Sequence, residues 1–440
     1  MKFTPHTEKE VAEMLGTIGV KSIDDLFSPI PKEMQAKSLD LPAGLSEFEA
    51  LAKLKSLAAK NDSGMACFLG GGVYDHFIPA AVDAISSRPE FYTAYTPYQP
   101  EASQGTLQVL YEYQTMICEL TGMEASNASM YDGGTALAEA ALMALRIGKK
   151  RRRVVMDSSV NPVYKEIVKT YLGFLDAEVV DLVYGTDDTI EKYLDGKTAG
   201  FLFQNPAFDG TVRDYTETAA KIHGDGGVAV SFVYPISLGA VKSPAEMGFD
   251  IAVGDGQSLG NPLSFGGPYF GFMSTTMSHI RNLPGRIVGK TVDTKGRPGY
   301  VLTLQAREQH IRRQKATSNI CSNQSLCAMN GLFYLALLGK EGLAEVAKLC
   351  HSKAEYAKKK LAAIDGVKIV NEGATFNEFV VKLPKKAEKV CEKLAVKGIL
   401  AGIPFDHFVK GKDKKLLVAV TELRTKDEID AFADALGGAL

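Results

Sequence analysis

Between residues 105 and 275 the apolar pattern changes period repeatedly, from stripes at helical spacing to short runs that are apolar at consecutive positions. A run such as "GVAVSFVYP" (227 to 235) is too continuous for a strand with one wet face and belongs in a sheet covered on both sides. The segments "RVVMDSS", "EVVDLVY", "GFLFQNP", "DIAVGDG" and "YFGFMST" have the same character. Helical stripes fall between the runs at 105–121, 133–146, 162–175 and 214–223, with a short helix near 189–194. This alternation predicts an α/β fold with a mostly parallel sheet and helices on both faces. We place the large domain at residues 66–318.

The flanks read differently. Thr7 and Glu10 have the spacing of a capping box ahead of Val11, Met14 and Leu15, and a second stripe runs from Leu45 to Ala59. Residues 1–65 offer little core and are expected to form a helical arm that packs on another surface. Beyond residue 318, helices at 326–338 and 343–364 precede strands "VKIVN" and "NEFVVKL", a helix at 386–397, strand "LLVAVT" and a last helix capped by Thr425 and Glu428. That order predicts a small C-terminal α+β domain over 319–440.

Charge and composition exclude several functions. Fifty Lys and Arg against 52 Asp and Glu leave a formal charge of −2, so no global field attracts nucleic acid or an anionic membrane. No uncharged apolar run reaches the roughly 20 residues of a spanning helix. The acidic N-terminal stretch, with Glu8, Glu10 and Glu13, suits neither a secretory signal nor a transit peptide, and the expected location is the cytoplasm. Six scattered cysteines and seven histidines without ligand spacing give no disulfide framework and no metal site. The run "GKKRRR" (148–153) reads as a solvated helix C-terminus, favoured by the helix dipole.

Three segments carry candidate chemistry. Asp132-Gly133-Gly134-Thr135 opens a clean helix, where the free amides of Gly133, Gly134 and Thr135 can cradle a phosphate or simply form a cap. Glycines crowd 254–271, "GDGQSLGNPLSFGGPYFG", directly after a strand, which implies tight turns or close approach of backbone to something. The stretch "FYTAYTPYQPEASQG" (91–105) sets three tyrosines among two prolines, a composition suited to an interface or pocket lining. H-E-x-x-H, the Walker A pattern and a strand-following G-x-G-x-x-G are all absent.

The segment "YTPYQPEASQGTLQVLYEYQTMICELTGMEASNASMYDGGTALAEA" (95–140) resembles the N-terminal half of glycine decarboxylase, the P protein of the glycine cleavage system. "PHTEKEVAEMLGTIGVKSIDDLF", "FLGGGVYDHFIPA", "REQHIRRQKATSNICSNQ" and "LLVAVTELRTKDEID" are similar to it as well, so the resemblance runs from end to end. It implies the fold-type I architecture of pyridoxal-phosphate (PLP) enzymes. At this length it also implies the split form of the enzyme, in which a separate homologous subunit 2 completes the assembly, as two copies of each chain. By the resemblance, glycine loses CO2 on PLP and the aminomethyl group passes to the lipoyl arm of H protein. The family's catalytic lysine follows a histidine after an M-G-F-D-like segment. Here "MGFD" (247–250) leads to Gln257 and Ser258 at those positions, and no lysine lies between Lys242 and Lys290. The acidic partner of the pyridinium is replaced by Ser231. The chain is therefore expected to be the non-catalytic subunit, with PLP on its partner and none bound covalently here. Tyr95, Thr96, Tyr98, Gln99 and Glu101 are the expected contacting element, and His310, Arg312 and Arg313 are expected to meet the partner or an acidic H protein. The alternatives are a self-sufficient PLP decarboxylase or aminotransferase, and a purely structural or regulatory scaffold.

Overall fold

The apolar runs pair into one seven-stranded sheet in the computed structural model, which describes residues 5–36, 38, 40–184, 186 and 188–440. Its strands are β1 (Ala125–Ser126), β2 (Arg153–Met156), β3 (Glu178–Asp181), β4 (Thr198–Asn205), β5 (Val228–Val233), β6 (Ile251–Asp255) and β7 (Gly271–Thr275). Their spatial order is β1-β7-β6-β5-β4-β2-β3, and only β7 runs against both of its neighbours. Every residue of β4, β5 and β6 is buried, which is the reason these segments lack a polar alternation. Side chains leave the pleat on alternate sides: Leu202, Val230 and Val253 pack under one layer of helices, while Phe201, Phe203, Ala229 and Ala252 pack under the other.

The sequence divides into two compact units, Met1–Ser63 and Gly64–Leu440. In the first, α1 (Glu8–Ile18) and α2 (Glu47–Ala58) each start on a capping box, Thr7 with Glu10 and Ser46 with Glu49, and neither helix contains a buried residue. The second unit holds the sheet, with α3 (Gln104–Thr121), α4 (Gly133–Gly148) and α5 (Pro162–Leu172) among its covering helices. An antiparallel hairpin of β8 (Ile287–Val292) and β9 (Pro298–Thr303) follows the sheet. It was not anticipated from the pattern, because most of its residues are half-buried or exposed and show no clean alternation.

The two helices expected at 326–338 and 343–364 are both present within α6 (Ser325–Ala362), parted by a kink at Gly339, whose backbone (φ 60°, ψ −177°) is not helical. A four-stranded antiparallel sheet then forms from β10 (Lys368–Ile369), β11 (Glu378–Lys382), β12 (Ile403–Pro404) and β13 (Lys415–Ala419), in the order β10-β11-β13-β12. The last helix, α7 (Lys426–Ala439), opens on the capping box of Thr425 and Glu428. Among the described residues no helix is long and apolar enough to cross a membrane.

The basic run at 148–153 does follow a helix C-terminus, with Lys149, Lys150 and Arg152 exposed, but two of its arginines are drawn into ion pairs. Helix α4 stops at Gly148, and Arg153 starts β2 between the carboxylates of Glu178 and Asp195, at 2.8 and 2.9 Å. Arg151 donates to the Thr198 carbonyl and pairs with Asp225 at 3.2 Å. Acidic side chains distant in sequence absorb these charges, which no local pattern reveals.

Gly210 marks where the turn after β4 meets β11. It has φ of +89°, and a Cβ there would fall 1.7 Å from the carbonyl oxygen of Glu378. Left-handed strain and a clash with backbone combine, so Gly210→Ala is expected to lower stability by at least about 3 kcal/mol. Urea unfolding monitored by circular dichroism measures this; a midpoint unchanged from wild type would show that the turn yields freely.

Candidate functional site

In open α/β sheets, ligands bind beyond the carboxyl ends of the strands, where helix N-termini point. Helix α4 points there from Asp132, its N-cap, whose carboxylate accepts from Thr135 N at 2.8 Å. The amide of Gly133 donates to Asp255 Oδ2 at 2.9 Å, and Asp255 Oδ1 accepts from Gln257 N at 2.9 Å. Two of the amides available for a phosphate are thus already bonded to carboxylates. Glycine at 133 and 134 answers to packing: a Cβ on Gly133 would lie 2.8 Å from the Asp255 Cβ, and one on Gly134 would lie 2.5 Å from Ile167. Burial pushes the Asp255 carboxyl up to about 7, against the two amide hydrogen bonds that favour its charged form.

A glycine-rich loop, residues 70–77, lies across the same strand ends. Asn161, beyond β2, donates to the Gly71 carbonyl at 2.9 Å, and Tyr74 N donates to Gln257 Oε1, beyond β6, at 2.9 Å. His76 bonds through one ring nitrogen to the Tyr234 hydroxyl, beyond β5, and through the other to Glu422 at 2.7 Å. The small sheet holds the loop from the opposite side. Glu378 accepts from Gly71 N at 2.7 Å and from the Tyr74 hydroxyl at 2.8 Å, and burial pushes its carboxyl up to about 7. Glu422 also accepts from Phe77 N and from the Cys350 thiol. His76, Cys350 and Glu422 are close enough to share a metal ion, but their polar atoms are already paired with protein groups.

Ser258 and Ser231 lie in this region, 3% and 0% exposed, and each hydroxyl is buried without a hydrogen-bond partner among the described residues. Ser231 is the register partner of Phe203 and Ala252 in the middle of the sheet. The glycine cluster after β6 reflects close approach to aromatic rings, as at Gly256, where a Cβ would fall 2.0 Å from the ring of Phe270. A cofactor ring here would meet neither an amine at residue 258 nor a carboxylate at residue 231.

The aromatic stretch and the basic segment form one surface. Thr96 Oγ1 lies 2.6 Å from Ser322 Oγ, and the ring of Tyr98 meets that of His310 edge-on, with centroids 5.5 Å apart. Tyr98 is 45% exposed and Tyr95 79% exposed, while Gln99 and Glu101 are exposed on the following turn. Arg312 and Arg313 are exposed, and among the described residues neither is hydrogen-bonded to the 95–101 stretch; Arg312 Nε instead donates to the Ala306 carbonyl at 2.9 Å. Leu304 and Arg313 have φ of 52° and 54°, and Ser129, whose carbonyl accepts from Asn323, has φ of 130°. Non-glycine residues in such conformations cost on the order of 1–3 kcal/mol each and persist only where the surrounding structure over-determines them. Arg286, which the sequence does not single out, lies beneath this surface and touches both of its segments. No local motif marks it, because its partners come from residues 98, 308 and 321.

A family model described as "Glycine cleavage system P-protein" matches residues 1–436. The "Probable glycine dehydrogenase (decarboxylating) subunit 1" of Citrifermentans bemidjiense is 58% identical over 444 residues, covering all of both chains. A crystal structure of glycine decarboxylase (P-protein) of the glycine cleavage system, in inhibitor-bound form, superposes over the whole of both chains with a TM-score of 0.91 at 44% identity. The glutamate decarboxylase of Lactobacillus brevis, at 12% identity, shares the fold alone, with a TM-score of 0.68 over 94% of this chain and 97% of its own. The architecture is that of the fold-type I PLP enzymes. With family model, sequence and structure agreeing along the whole length, the chain belongs to the glycine cleavage system P-protein family, in its subunit 1 form.

Proposed function

We propose that this chain is the non-catalytic subunit of a two-subunit glycine decarboxylase, and that a homologous subunit 2 carries PLP and its lysine. The observation that carries this reading is the crevice itself. Serines stand at 258 and 231, carboxylates occupy the helix amides, and the loop 70–77 is bonded across the strand ends. These residues do not fit PLP, so no chemical step is assigned to them. The contribution of this chain is structural and positional: it completes the assembly, two copies of each subunit, and presents the surface of Tyr95, Thr96, Tyr98, Gln99 and Glu101 with His310 to the partner's site. Arg312 and Arg313, next to His310, give that surface positive charge suited to an acidic carrier such as the lipoyl H protein. The substrates of the assembly are glycine and the lipoyl arm.

The reading is tested by expressing this chain with and without subunit 2 and assaying glycine-dependent CO2 release in the presence of lipoyl H protein. Activity is expected only when both chains are present and co-sediment. Release by this chain alone would favour the self-sufficient enzyme, and full release by subunit 2 alone would favour the scaffold.

The surface makes its own prediction. Prolines 97 and 100 restrict the backbone around Tyr98, which lowers the entropy lost when the loop orders against a partner. Tyr98→Ala is expected to reduce turnover of the complex at least about tenfold while shifting the melting temperature of the lone chain by only a few degrees. Intact turnover with normal assembly would mean that the loop merely packs.

A further inference from the structure

Arg286 is 8% exposed at the entry to β8, and its guanidinium joins two segments that are far apart in sequence, reaching residue 98 in one and residues 308 and 321 in the other. Nη2 donates to the Tyr98 hydroxyl at 2.9 Å, and the guanidinium carbon sits 5.3 Å from the centre of the Tyr98 ring. Nη1 donates to the Cys321 carbonyl at 3.0 Å. Nε lies 3.8 Å from Glu308 Oε2, and the same carboxylate oxygen lies 3.6 Å from His310 Nδ1. His310 closes the circuit by its edge contact with Tyr98.

We infer that Arg286 is the positioning residue of the partner-facing surface. It sets the Tyr98 ring directly and the His310 imidazole through Glu308, so the two predicted contact elements act as one preformed unit. This inference rests on the proposal that the surface meets the partner's active site. The role needs arginine rather than positive charge alone, because a planar fork donates to a hydroxyl and a carbonyl at once while its face meets the Tyr98 ring, whereas an ammonium on a flexible stem holds no such geometry. Preorganising a contacting loop raises the rate of an assembled site by holding groups in place, and small misplacements are costly.

The experiment uses the assembled two-subunit enzyme with Arg286→Lys, Tyr98→Phe and their double variant, beside His310→Ala and Tyr98→Ala. Measured together are kcat, KM for glycine, assembly by sedimentation and the melting temperature. Arg286→Lys is expected to assemble normally and to lower kcat about tenfold, with KM for glycine changing by less than about twofold. Tyr98→Phe is expected to lose part of that rate by deleting the hydroxyl bond, and the double variant should be no slower than Arg286→Lys, because both changes break one link. If Arg286→Lys does not fold, Tyr98→Phe decides alone. Turnover unchanged in Arg286→Lys, or falling only in step with assembly, overturns the inference while His310→Ala and Tyr98→Ala remain slow. If those two variants also turn over normally, the underlying reading of the surface fails instead.

Discussion

Raising the pH from about 5 to about 8.5 is expected to weaken the folded chain, and Glu378→Gln to cancel a large part of that loss. Glu378 sits on β11 beneath the glycine loop, and burial raises its carboxyl from 4.5 to about 7, with the charge of Asp209 adding to the rise. Hydrogen bonds from Tyr74 and Gly71 pull the other way but do not win. A carboxyl whose folded-state value is raised favours the folded state fully below its unfolded value. That contribution is lost as the pH climbs through about 7. A displacement of this size corresponds to up to about 3 kcal/mol, a large share of the stability of an ordinary domain. Glutamine keeps an oxygen for Gly71 N and offers its amide to the Tyr74 oxygen, so the packing survives while the charge disappears. Asp255, raised to about 7 by its own burial, is untouched and leaves a residual slope. Denaturant unfolding at several pH values should show variant and wild type equal near pH 5 and the variant more stable by about 2–3 kcal/mol near pH 8.5. Two parallel curves would mean that Glu378 titrates where an exposed carboxyl does.

Strand and helix placement in the large domain was legible because burial on both faces leaves an uninterrupted apolar signal. Val228 to Val233 and Ile251 to Asp255 fall inside the runs expected for them. Capping boxes at Thr7 and Thr425 were readable for a related reason, since both partners lie within four residues. Signals fail when the partner is remote. The hairpin of β8 and β9 is largely half-exposed and so lacks a decisive pattern. Arg153 resembles a helix end until Glu178 and Asp195 are seen beside it.

The candidate site divides along the same line. Gly133, Gly134 and Thr135 announced a helix start, but the carboxylate that bonds Gly133 comes from Asp255, 122 residues later. Tyr98 and His310 were each marked by composition or resemblance, yet their contact and the arginine beneath them are tertiary facts. The lid of glycines at 70–72 was quoted only as part of a resemblance. Its placement over the strand ends depends on Asn161, Gln257 and Glu378, none of which has a local motif.

Because several features of the crevice oppose the cofactor independently, restoring the lysine alone is expected to fail. Incubated with PLP and then reduced with borohydride, the wild-type chain should show no single-site adduct, and Ser258→Lys should show less than about a tenth of the stoichiometric labelling given by subunit 2. Ser258 is almost fully buried, so a lysine there must extend into packed protein. The pyridinium would find Ser231 rather than a carboxylate, forgoing a charge pair worth up to roughly 4 kcal/mol near 4 Å at an effective dielectric of 20. Its phosphate would have to displace Asp132 from Thr135 N and Asp255 from Gly133 N, and two carboxylates beside it would repel it. Tyr74 N is bonded to Gln257, next to the new lysine, so the loop 70–77 would also have to lift. Peptide mapping after reduction separates specific labelling from scattered reaction at surface lysines. Stoichiometric labelling of one wild-type lysine, or of residue 258 in the single variant, would show that the crevice still accepts the cofactor and would return this chain to the catalytic half of the family.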